Sequence, residues 1–101
     1  MIAITRQNGE IMIAGHANYA PAGQDIVCAS ISILVQNLIQ SIESMTMDVI
    51  QYDMKPGMVH IKHGNLSEHA QVLVDSFFIG CKMIADEYPQ NVQLNAQAWK
   101  A

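Results

Sequence analysis

The sequence is short of charge. Of its 101 residues 14% are charged, only five are Lys or Arg, and the net charge is −4. That leaves no basic patch on which a nucleic acid could dock. Two cysteines are too few for a disulfide framework, although they leave room for one bridge. No basic n-region precedes an apolar h-region at the start, so no signal peptide is read there. The longest uncharged run, 26–42, is interrupted by Gln36, Asn37 and Gln40 and falls short of the roughly 20 apolar residues of a membrane span. These absences point to a soluble cytoplasmic protein with reduced thiols, without contact with nucleic acid or membrane.

What the sequence does have is apolar substance, at 50% hydrophobic residues. That is enough for one folded domain over 1–101 with a single core. It is a high share for so small a chain, and a second copy covering part of the surface, a homodimer, is expected. There is no low-complexity segment, no linker, and no repeat beyond a rough ββα duplication.

In chain order, Met1–Arg6 reads as a strand with Ile2 and Ile4 on one face. Asn8-Gly9 is a hairpin turn, and Ile11–Ala14 returns to deliver Gly15 and His16 at its end. Gly15 suits a conformation or approach that a side chain would block. The spacing then predicts a helix from Asp25 to about Ser44, with Ile31, Leu34, Val35, Leu38 and Ile42 on one face. Met45–Tyr52 reads as a third strand, Lys55-Pro56-Gly57 as a turn and Met58–His63 as a fourth strand. Ser67 is a fitting N-cap for a second helix, Glu68–Tyr88, striped by Ala70, Leu73, Val74, Phe77, Cys81 and Ile84 and stopped by Pro89. Val92–Leu94 is a last edge strand, and the tail from Asn95 wanders. The order ββαββα(β) predicts an α+β domain, an antiparallel or mixed sheet with two helices on one face.

One stretch carries chemistry. His16 and Cys28 stand at either end of a short loop broken by Pro21 and Gly23. With Asp25 as N-cap, Cys28 falls in the first turn, where the helix dipole favours a thiolate. His16 could supply the base. Each residue alone has an ordinary reading, Cys28 as a small core residue and His16 as a strand-end histidine. Asp25 has two candidate jobs, capping the helix or orienting His16 through its second ring nitrogen. The amides of the first turn could hold an oxyanion. Cys81 reads as core and His69 as solvated. His60 and His63 point to opposite faces of a strand, which argues against a metal site, and no cofactor is read. The seven methionines read as core filler.

Gly15-His16-Ala17, then Gly23-Gln24-Asp25-Ile26-Val27-Cys28-Ala29 after a loop, resembles the ribosomal-processing cysteine proteases of the Prp family. Eleven residues separate His16 from Cys28, as in that pattern. Weaker similarity extends over the whole chain. Ser30, where that family has a small apolar residue, and the low glycine content of 18–22 depart from it. The resemblance implies a homodimeric cytoplasmic endopeptidase that trims the N-terminal extension of a large-subunit ribosomal protein. It implies Cys28 as nucleophile, His16 as base and acid, Asp25 in support, and a loop that moves on Gly23. Relatives also act outside the ribosome, so a viral structural protein is an alternative substrate. A non-catalytic dimeric module of ribosome assembly is the alternative from another class.

Overall fold

Both hairpins form as their turn residues direct. In a computed structural model of the protein, which describes residues 1–95, β1 (Ile2–Gln7) turns through Asn8-Gly9 into β2 (Glu10–Ala14). Likewise β3 (Ile50–Lys55) turns through Pro56-Gly57 into β4 (Met58–His63). Pro56 presets one turn position and Gly57, at φ +75°, takes the left-handed one, the pattern of a type II turn. Two helices, α1 (Ile26–Met45) and α2 (Glu68–Glu87), and a short β5 (Val92–Leu94) complete the order. The strands lie as β3-β4-β2-β1-β5. All neighbours are antiparallel except β5, which runs parallel to β1 with Ile2 opposite Val92. This is the expected α+β architecture with a mixed sheet.

Registry puts one face of the sheet in the core. Ile4 lies opposite Ile13 and Ile11 opposite Ile61, so these side chains share a face. Against it pack Val27, Ile31, Val35, Leu38, Ile39 and Ile42 of α1, and Val74, Phe77, Phe78 and Cys81 of α2. The β-branched residues of α1 weaken its intrinsic helix preference by under about 0.7 kcal/mol each, whereas burying each of six apolar side chains contributes about 1.5–3 kcal/mol. Burial wins. By length and composition α1 could also cross a membrane; here its apolar stripe is the core.

Two expectations are corrected. The third strand is not Met45–Tyr52: α1 runs through Met45, and β3 begins at Ile50. Thr46 ends the helix, its hydroxyl donating to the Ile42 carbonyl at 2.8 Å. Asp48 is then spent on the start of α2, accepting from the Ser67 N–H at 2.8 Å and from the Ser67 hydroxyl. These bonds, that from the Ser67 hydroxyl foremost, hold the Asp48 carboxyl below the usual carboxylate range. Nor are the methionines core filler. Met12 is half-buried and the other six are exposed, Met47 almost completely at 97%. Branched aliphatics and Phe77–Phe78 already fill the interior.

Candidate active site

Asp25 builds the start of α1. Its backbone is extended, and Oδ1 accepts from the N–H groups of Val27 and Cys28, both at 3.0 Å. Oδ2 accepts from Tyr19 N–H at 2.9 Å and Ala20 N–H at 3.2 Å, in the loop that follows His16. Four amide donors, that of Cys28 foremost, hold the Asp25 carboxyl below its ordinary range. Of its two candidate jobs Asp25 therefore performs the capping one and adds a loop tie; its carboxylate is engaged by backbone, not by His16. The first-turn amides of Val27 and Cys28 are likewise taken, so the oxyanion role read for them is not met in this conformation.

Cys28 is the third residue of α1 and is half-buried. Its Sγ accepts from the Ala17 N–H at 3.4 Å. Ala17 is itself buried, and its carbonyl accepts from Asn91 Nδ2 at 3.0 Å. On the other side of His16, Gly15 N–H donates to the Gly57 carbonyl at 2.8 Å. Gly15 has φ +101°, and a Cβ there would lie 2.2 Å from the Met1 carbonyl oxygen, so only glycine fits. His16 thus sits between two anchored residues. Its imidazole lies over the β3–β4 turn, with Nε2 2.8 Å from where a Cβ on Gly57 would be.

His16, Cys28 and Ser32 line two adjoining cavities. One, of about 580 Å³, is bounded by the 18–25 loop and the start of α1, with Asn18 and Gln24 among its lining residues. The other, of about 230 Å³, is apolar and runs under Met54–Val59 toward Ile13, Ile31 and Val35. Among the described residues no hydrogen bond joins His16 to Cys28; the two residues line one shared cleft. Gly23 has φ +84° and open space around it.

The other titratable candidates have local partners. Cys81 is enclosed within the core, and burial pushes its thiol up to about 12. His60 Nε2 bonds Glu10 Oε1 at 2.8 Å, and His63 Nδ1 bonds the Gly64 carbonyl at 2.8 Å. Sequence reasoning missed three contributors to the site. Gly57 was legible as a turn residue but not as the seat of the imidazole. Ala17 acts through its N–H and carries no side-chain signal of its own; Asn91 reaches the site from a position 75 residues away from His16 in the chain.

A thiol in the first helical turn that shares a cleft with an imidazole fits the class of cysteine proteases. Residues 1–93 match the family described as cysteine protease Prp, and the chain belongs to it. It is 29% identical over 89 residues to the ribosomal processing cysteine protease Prp of Staphylococcus aureus, covering 85% of this chain and 84% of that one. The Mycoplasma genitalium protein of the same name is 25% identical over 100 residues, 99% of this chain and 100% of that one. A crystal structure of the S. aureus protease with a covalently linked product peptide superposes with TM-score 0.85 at 25% identity, over 93% of this chain and 95% of that one. The same protease with a substrate peptide, at 23% identity and TM-score 0.73 over 93% and 95%, shares the fold. The chain is accordingly a cysteine protease.

Proposed function

We propose that this protein is an endopeptidase that removes the N-terminal extension of a large-subunit ribosomal protein, with Cys28 as nucleophile and His16 as base and acid. The observation that carries the reading is the placement of Cys28 Sγ and the His16 ring on one open cleft, one in the first turn of α1 and the other at the end of β2. The S. aureus relative bears a ribosomal-processing name and has been crystallised on peptides, which supports a peptide substrate of ribosomal origin.

In this reading the substrate backbone crosses the cleft between His16 and Cys28. His16 takes the Cys28 proton, the thiolate attacks the scissile carbonyl carbon, and a tetrahedral oxyanion forms. Since Asp25 already occupies the Val27 and Cys28 amides, the oxyanion turns to the larger cavity, where the Asn18 and Gln24 side chains can donate. His16 then protonates the leaving amine, and the new N-terminus departs. Water deprotonated by His16 attacks the thioester and frees the acid product and Cys28. The apolar cavity under Met54–Val59 accepts a bulky apolar side chain next to the cut.

The enzyme is proposed to work in the cytoplasm, in keeping with its two free thiols, and as a homodimer. Apolar side chains stand out of both helices, with Ile33 62%, Val72 65% and Met83 68% exposed, a surface that a second copy would cover. Incubation with a large-subunit ribosomal protein carrying its extension tests the function. A single cut inside the extension, located by intact mass, is the expected result. An uncut substrate alongside a rapidly alkylated Cys28 would leave a protease with a different substrate. Light scattering at a monomer mass would remove the dimer.

A further inference from the structure

We infer that Asn91 is a positioning residue for the Cys28 sulfur and the His16 ring, acting through Ala17. The inference rests on Cys28 being the nucleophile. Asn91 sits in the turn between α2 and β5, far from the cleft in sequence. Its backbone is fixed twice: its N–H donates to the Tyr88 carbonyl at 2.9 Å, and its carbonyl accepts from Ile2 N–H at 2.9 Å. The side-chain amide therefore projects from a rigid junction of α2, β1 and β5. It donates from Nδ2 to the Ala17 carbonyl at 3.0 Å.

Ala17 is the relay. Its side chain is 1% exposed, its carbonyl is held by Asn91, and its N–H points at Cys28 Sγ at 3.4 Å. An N–H aimed at sulfur stabilises the thiolate over the thiol, because the charged form is the stronger acceptor. Ala17 is also the residue joined to His16, so a free Ala17 carbonyl loosens both partners at once. The loop beyond it is secured separately, by Asp25 to the amides of Tyr19 and Ala20 and by Tyr19 against the Tyr88 ring at 5.2 Å. That separate tie lets Ala17 shift without the loop unfolding, which is what distinguishes positioning from support.

The test uses the whole protein, iodoacetamide as probe, and Cys81 as an internal control for the fold. Two variants remove the donor: Asn91→Leu, with the same branching at Cγ and no polar atom, and Asn91→Asp at the same shape with an acceptor facing the Ala17 carbonyl. Alkylation of each cysteine is followed by peptide mass. Cys28 is expected to slow by about fivefold at neutral pH, the worth of one ordinary hydrogen bond, while Cys81 stays protected. On a peptide spanning the extension junction of the ribosomal substrate, kcat is expected to fall by about tenfold with KM within about twofold. A merely structural residue gives the opposite sign, since loosening exposes both thiols. Rapid labelling of Cys81 in both variants would therefore overturn the inference, and so would Cys28 reactivity and kcat within about twofold of wild type. Cys28→Ala runs in parallel. If it still cuts, the nucleophile assignment falls and Asn91 with it; if it is dead while the Asn91 variants match wild type, the Asn91 role alone falls.

Discussion

Gly57→Ala separates the turn from the active site. An alanine Cβ at 57 would lie 2.8 Å from His16 Nε2 and 3.2 Å from its Cε1. Ordinary contact begins near 3.4 Å, so the ring must retreat by about 0.6 Å. The ring is exposed and can swing, which keeps the stability cost low but shifts the proposed base within the cleft it shares with Cys28. A misplacement of 1 Å costs about a hundredfold in rate, so about tenfold is expected for this one. Alanine at φ +75° adds backbone strain of about 1–2 kcal/mol. Gly9→Ala supplies the control: it carries the same strain at φ +77° in the other hairpin, and its Cβ meets only the His63 carbonyl at 3.1 Å. Both variants should lose similar stability in urea, while only Gly57→Ala should lose kcat/KM on an extension peptide. Equal activities at equal stability would show that the imidazole does not depend on the gap at Gly57.

Three more outcomes follow from the same contacts. Asp25→Asn keeps one acceptor for the helix cap but cannot accept from both loop amides; hydrogen exchange at Tyr19 and Ala20 should quicken while Val27 and Cys28 stay protected, and uniform protection would contradict the two-sided tie. The lowered Asp25 carboxyl makes its stabilisation complete above its ordinary value of 3.8 and lost as the pH falls through the depressed one. Amide resonances of Tyr19 and Cys28 should thus hold steady from neutral pH to about pH 5 and move together only in acid, and a change near neutrality would refute the assignment. Gly15→Ala, with its Cβ 2.2 Å from a backbone oxygen, should cost at least about 2 kcal/mol by urea unfolding, and a midpoint like wild type would contradict the close approach.

Much of the fold was legible because the sequence repeats its signals at several levels. Asn8-Gly9 and Pro56-Gly57 fixed both hairpins, Asp25 and Ser67 both helix starts, and the stripes Ile31-Val35-Leu38-Ile42 and Val74-Phe77-Cys81 both buried faces. The end of α1 was misread because Met45–Tyr52 has the β-branched and apolar content of a strand. What decides there is Thr46 closing on Ile42 and Asp48 reaching Ser67, a contact across 19 residues that periodicity cannot report. The methionines misled for a related reason: side-chain type does not reveal that the sheet edge and the α1–β3 connection lie beyond the core. At the site, the Gly-His and Asp-Ile-Val-Cys blocks pointed to two residues, His16 and Cys28, that the fold brings to one cleft. Ala17 and Gly57 stayed hidden because they act through a backbone group and through space left empty, and Asn91 because its side-chain amide meets the Ala17 carbonyl only through the fold.

Measured on one extended ribosomal substrate, the rates of wild type, Cys28→Ala and His16→Ala test the central claim most directly. Both substitutions should lower kcat/KM by at least about a thousandfold while leaving the fold intact, as the near-ultraviolet circular dichroism and a protected Cys81 would report. Cleavage by Cys28→Ala at the wild-type site and rate would contradict the account.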